Sequence, residues 1–300
     1  MRTAIPTVIV LLALAPCRAA DKLHVVATTA DLAAIATAVA DDAAEVTTLA
    51  RPGEDPHFVD PKPSFIVTLN RADALIEGGA ALEAGWLPPL LDSARNPRIA
   101  SGAPGRIVAS EGIALREVPR ELDRSLGDIH PFGNPHYLLD PVNGKTVAQT
   151  IAKGLCAVDQ ARCATYQAGA RRLAEAIDQK LPEWQAALAP ARGAKIVTYH
   201  KDYNYLAARF GLEVVDNLEP KPGIPPSPAH LAELVPRMQA AHVRVILAEP
   251  FRERQTLDFV AEKTGAKVLL LPIMPDGKAA TDYIALIDHA VRQLAEALKG

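Results

Sequence analysis

Seven apolar residues, Tyr166, Ala170, Leu173, Ile177, Leu181, Trp184 and Leu188, follow one another in steps of four, three, four, four, three and four. With 3.6 residues per turn, that spacing places all of them on one stripe of a helix about six turns long. Pro182 should kink this helix or mark a break, yet the stripe continues in phase beyond it. On both sides of the rod, strand and helix patterns alternate. Before it, Leu23 to Thr28, Glu45 to Leu49 and Ala74 to Ile76 read as strands, with helices at Asp31 to Ala40, Pro61 to Asn70 and Gly144 to Leu155. After it come strands at Lys195 to Tyr199, Glu213 to Val215, Val243 to Ala248 and Lys267 to Leu271. Helices at Tyr203 to Phe210, Pro228 to Ala240, Arg254 to Thr264 and from Tyr283 onward complete the second half. Such alternation argues for parallel sheets. The expected fold class is α/β: two similar α/β lobes with parallel sheets, residues 20–158 and 191–300, joined by one long rigid helix within 159–190. Residues 92–135 are rich in glycine, proline and charge; only short strands at Arg98 to Ser101 and at Ile107-Val108 are expected there.

Three histidines stand where regular structure should stop. His57 lies in Gly53-Glu54-Asp55-Pro56-His57-Phe58, His136 in Asn134-Pro135-His136-Tyr137-Leu138-Leu139-Asp140-Pro141, and His200 closes the apolar run Lys195 to Tyr199. Proline fixes its own backbone and restricts the residue before it, so the two Pro-His pairs present an imidazole from a stiff loop, which suits a metal ligand. His57 and His200 each follow the carboxyl end of an expected strand, one per lobe, where open α/β sheets place ligands. That puts a metal site in the cleft between the lobes. A single histidine is ordinarily a surface or core residue with a hydrogen-bond partner, and His24, His130, His230, His242 and His289 are placed in that class, His130 as the doubtful case. His130, six residues before His136, is a candidate secondary or transfer ligand. Glu54 and Asp55 are placed to orient the His57 loop, and Asp140 to cap the helix after Pro141.

The first twenty residues differ in kind. Arg2 gives a positive start, Ile5 to Pro16 is an apolar run, and Cys17-Arg18-Ala19-Ala20 ends on small residues, the pattern of a secretory signal peptide over residues 1–19. The run is well short of the roughly 20 residues a membrane span needs. Cleavage near Ala19 or Ala20 is expected; a lipid anchor at Cys17 is disfavoured by the proline before it. The chain is then exported and periplasmic, and the two cysteines left, Cys156 and Cys163, are expected to form a disulfide. The net charge of −3 lacks the basic footprint of a nucleic-acid binder. Dinucleotide, phosphate-loop and His-Glu-x-x-His fingerprints are missing from the sequence.

Gly53 to Pro61, Asn134 to Pro141, Thr198 to Leu206 and Thr281 to Ile284 resemble the signature regions of the metal-binding proteins that serve ABC importers of zinc and manganese. Pro63-Ser64, Arg71-Ala72-Asp73 and Gly78 to Glu83 add to the likeness, which runs over nearly the whole mature chain. The resemblance implies a monomeric solute-binding protein, not an enzyme, that captures a divalent ion and delivers it to a membrane ABC permease, with a periplasmic metallochaperone as a further partner. It also implies an acidic fourth ligand near the start of the terminal helix, read as Asp282, with Glu249 as runner-up; for Glu249 a capping or inter-lobe hydrogen bond is preferred. His57, His136, His200 and Asp282 would make a nitrogen-rich site that favours Zn²⁺ over Mn²⁺. A manganese importer component and an exported adhesin with structural zinc are the alternatives.

Overall fold

The computed structural model describes residues 21–119 and 130–299; the expected signal segment lies outside them. Among the described residues, eight strands form two parallel sheets. In the N-terminal sheet β1 (Leu23–Ala27), β2 (Ala44–Thr48), β3 (Ala74–Glu77) and β4 (Arg106–Val108) stand in the order β2-β1-β3-β4. In the C-terminal sheet β5 (Lys195–Thr198), β6 (Glu213–Asn217), β7 (Val245–Ala248) and β8 (Lys267–Leu270) repeat it as β6-β5-β7-β8. In each sheet the first strand has the second on one side and the third on the other, so loops diverge at the carboxyl ends of β1/β3 and β5/β7 and leave a crevice.

The pleat decides which core each strand residue enters, because successive side chains point to opposite faces. Val25, Ile196 and Val245 face a shared inner core with Ile35, Ile151, Leu173 and Leu286. Their neighbours Val26, Val197 and Ile246 face outer cores, one per lobe. Among the described residues the helices are α1 (Ala30–Ala40), α2 (Pro63–Arg71), α3 (Leu87–Ala94), α4 (Pro141–Val158), α5 (Cys163–Leu188), α6 (Asn204–Phe210), α7 (Pro228–Ala240), α8 (Arg254–Thr264) and α9 (Tyr283–Leu298), and the inner core is built on α5, which packs against α1, α4 and α9. The stripe read from the sequence is its buried face, with Leu181 only partly covered. The helix runs unbroken through Pro182, which lies on the exposed side. Cys156 and Cys163 form the expected disulfide between the last turn of α4 and the start of α5.

Two local expectations change. Arg98 to Ser101 is not a strand: Pro97–Ile99 is a single helical turn, capped by the Asn96 side chain accepting from Arg98 N at 3.0 Å. Asn-Pro supplies a cap and a first helical residue, which outweighs the strand-like composition. A helix over Leu87–Ala94, with its prolines in the first turn, was also not foreseen. Among the described residues, no helix is long and apolar enough to cross a membrane.

The approach of α5 to α1 is set by Gly169. A Cβ there would lie 2.2 Å from the Val39 carbonyl oxygen and 2.8 Å from that of Ala38, both backbone atoms that cannot rotate away. Gly169→Ala must therefore part the two helices, at a cost of about 3 kcal/mol. Urea denaturation measures it, and a loss below about 0.5 kcal/mol, the range of ordinary surface changes, would refute this close contact.

Candidate metal centre

Each of the three loop histidines is fixed by its own segment before it meets the others. In the His57 loop, the Asp55 carboxylate accepts from His57 N at 3.0 Å and the ring Nδ1 at 2.7 Å, and Glu54 accepts from Arg51 N at 3.0 Å. Trp86 Nε1 donates to the Pro56 carbonyl at 3.0 Å and ties the loop to its lobe. The segment carrying His136 lies between the lobes and is fastened by three buried tyrosines. Tyr137 donates to the Gly78 carbonyl, Tyr205 to that of Asn134 and Tyr283 to that of Leu138, at 2.7–2.8 Å. Asp140 caps α4 as expected, accepting from Val142 N at 3.0 Å. His200 lies two residues past β5, at the crevice between β5 and β7, with Thr198 Oγ1 donating to its carbonyl at 2.6 Å.

The rings converge. Centroids of His57, His136 and His200 lie 5.0, 5.2 and 5.3 Å apart, and one donor atom from each lies within 4.8 Å of the others. Each ring turns Nδ1 toward a carboxylate: His57 to Asp55 at 2.7 Å, His200 to Glu219 at 2.7 Å and His136 to Asp202 at 2.9 Å, the last out of line for a strong hydrogen bond. An ionised carboxylate only accepts, so on neutral His57 and His200 Nδ1 carries the proton and Nε2 keeps a lone pair for a cation. His136 Nε2 is buried with no hydrogen-bond partner among the described residues, a donor-shaped gap that an ion would fill.

The carboxylates in turn meet at Arg252. Its guanidinium lies 3.2 Å from Asp55, 3.2 Å from Glu219, 3.7 Å from Asp202 and 2.6 Å from Glu249, and so joins the N-terminal His57 loop to three acids of the C-terminal lobe. Burial works against ionised Asp55, but the His57 hydrogen bond and the Arg252 charge outweigh it and hold the carboxyl down to about 2. Burial and then the adjacent Asp202 push Glu249 well above the carboxylate range, and burial raises Asp202 as well. Burial also lifts Glu219 to about 7. For the imidazoles, burial and then His57 hold His136 down to about 3, and burial with the neighbouring histidines keeps His200 well below its ordinary value. Burial would lower His57 too, but Asp55 reverses the direction. Neutral imidazoles are the form that binds a metal.

Asp282 does not join this group. It is exposed at the N-cap of α9, where Oδ1 accepts from Ala285 N at 2.8 Å. The acid expected at the start of that helix is spent on the orphan amides of its first turn, while its neighbour Tyr283 reaches the His136 segment. Glu249 is an ion-pair partner of Arg252 three residues on in its own lobe, rather than the helix cap or inter-lobe hydrogen bond expected of it. Asp202, Glu219 and Arg252 had drawn no role from the sequence. A usable signal was present: Glu219-Pro220 and Glu249-Pro250 both sit just past a strand end, as Asp55-Pro56 sits in the His57 loop.

Arg252→Gln removes the cation shared by these acids and leaves buried carboxylates facing one another. A loss of about 3–5 kcal/mol is expected at neutral pH. The deficit should narrow at acid pH, because protonated carboxyls no longer need the guanidinium. Denaturation of both proteins across pH checks this, and a deficit independent of pH would show that Arg252 acts by packing alone.

Residues 25–297 match the family described as zinc-uptake complex component A, periplasmic. The chain is similar to the zinc-binding lipoprotein AdcA of Streptococcus pneumoniae, 26% identical over 285 residues, which covers 93% of this chain and 56% of that protein. The chain thus spans about half the length of that relative. It is 24% identical to the manganese ABC transporter substrate-binding lipoprotein PsaA of Streptococcus anginosus over 287 residues, covering 93% of this chain and 90% of that one. A crystal structure of ZnuA shares the fold, with a TM-score of 0.78 at 22% identity over 93% of this chain and 100% of the other. With nearly all of its described length matched and its three histidines converging, this chain belongs to the periplasmic zinc-uptake component A family, whose members are substrate-binding transport proteins and not enzymes.

Proposed function

We propose that the protein is an extracytoplasmic solute-binding protein that captures Zn²⁺ with His57, His136 and His200 and passes it to a membrane ABC permease. The observation that carries this reading is the set of three imidazoles, each with Nδ1 on a carboxylate and Nε2 left for an ion. Zinc is favoured because the convergent donors are nitrogen, whereas manganese prefers more oxygen. The nearby carboxylates do not compete as ligands: they are engaged with Arg252 and with the imidazole Nδ1 atoms. Export is supported by the signal-like residues 1–19 and by the Cys156–Cys163 disulfide.

An ion bound only by the folded state adds about 4 kcal/mol at a thousandfold excess over Kd, which for a chain of this size raises Tm by roughly 10 °C. Zinc should produce that rise in the wild type and lose most of it in His136→Ala. No rise in the wild type, or a full rise in the variant, would refute this assignment.

Manganese is the second reading, favoured by the likeness to PsaA. Exchanging one nitrogen donor for oxygen should move the preference, so His200→Glu is expected to weaken zinc binding and gain relative manganese affinity. Competition titrations decide, and a wild type that prefers Mn²⁺ to Zn²⁺ would overturn zinc while leaving metal capture intact.

A further inference from the structure

His130 lies beside the three-histidine group on a turn of its own. Its carbonyl accepts from Gly133 N at 3.1 Å, and the turn rests on the Arg116 carbonyl, which accepts from Asn134 N at 2.8 Å. A side chain at Gly133 would meet that same carbonyl at 2.8 Å, and φ there is +117°, so glycine is what lets the turn sit this close. The turn places His130 with His136 and His200 along the wall of a cavity of about 360 Å³, the space through which an ion would reach the site.

The decisive contact is between nitrogens. His130 Nε2 lies 3.1 Å from His57 Nε2. In its neutral, metal-binding form His57 keeps its proton on Nδ1, donated to Asp55, and its Nε2 presents a lone pair. A neutral imidazole has one N–H, and with that proton on Nδ1 the His130 Nε2 also presents a lone pair. A proton on either Nε2 makes this contact an ordinary hydrogen bond, and a cation that displaces that proton would be held by both rings. The spacing of this one pair suits such an ion: with zinc–nitrogen bonds of about 2.0–2.1 Å, two ligands of a tetrahedron stand roughly 3.3 Å apart. Among the described residues, however, only His57, His136 and His200 have donor atoms within 4.8 Å of one another, so His130 would have to close on His136 and His200 around the ion. The His130 ring is 6.3 Å from that of His136, farther than the 5.0 Å to His57, so His130 approaches from the His57 side, at the cavity wall.

We propose that His130 is the fourth ligand, supplied by the cavity turn in the place expected of a carboxylate, so that the ion is held by four imidazoles. This rests on the metal-binding reading above. It fits the surroundings, since Asp55, Asp202, Glu219 and Glu249 are turned to Arg252 and Asp282 to its helix cap. Four neutral nitrogens leave the bound ion its full double charge and no oxygen donor, which disfavours manganese further.

X-ray absorption of the zinc-loaded mature protein tests the proposal by counting imidazoles. Four are expected in the wild type, and three with one light atom in H130A and in H130Q. Chelator competition should show zinc affinity falling at least 10- to 100-fold in both variants, no less than the loss of a supporting partner costs. Cobalt(II) as a visible probe should report a change of coordination between wild type and variant. H130Q keeps a hydrogen-bonding side chain of similar reach. If His130 merely bonds to His57, H130Q retains wild-type affinity and the proposal is overturned. Three imidazoles in the wild type would also overturn it while leaving metal capture standing. A wild type that takes up no zinc would remove both.

Discussion

A single guanidinium reconciles charges that would otherwise drive the two lobes apart. Among the described residues, Arg252 faces four carboxylates, one from the N-terminal lobe and three from the C-terminal lobe. Burying so many acids is costly, and the cost is tolerable only where a cation is buried with them. Lysine could not substitute, because the contacts use the planar fork of donors pointing in several fixed directions. Tyr199 and Phe251, each with its ring centroid 5.0 Å from the guanidinium carbon, hold that plane in place. Through the acids the arginine also governs the histidines: three of the carboxylates it holds, Asp55, Asp202 and Glu219, each face an Nδ1 and leave an Nε2 turned to the cleft.

The architecture was legible where periodicity was long. The stripe from Tyr166 to Leu188 and the strand–helix alternation are repeated local signals, and each burial pattern follows from them. Short irregular pieces were less so, as the turn at Pro97–Ile99 shows: three residues carry no period, and only the cap chemistry of Asn96 decides. In the site, His57, His136 and His200 stood out because proline or a strand end placed each at a loop. Asp282 shows why such a residue is ambiguous, since an acid at the start of a helix serves capping as readily as ligation, and here it caps. Arg252 could not be weighed from sequence: its role depends on acids at positions 55, 202, 219 and 249, which only the folded cleft brings together.

The repeat of strand order in the two sheets has its counterpart in the cores. Each lobe keeps an outer core, while the inner one is common to both. Tyr137, Tyr205 and Tyr283 stitch the segment between the lobes to the elements on either side. The lobes are thus halves of one body, related as copies in topology but not independent in packing.

That common inner core separates two properties that a hinged protein would couple. Swinging the lobes apart would expose the apolar surface around α5, so an ion in the cleft escapes by local rearrangement of the loops that hold it. Its residence time is then set by the few hydrogen bonds of those loops, whereas resistance to global unfolding is set by the helices behind them. Retention and durability can accordingly vary separately, the one through residues at the cleft and the other through the packing of α1, α4, α5 and α9.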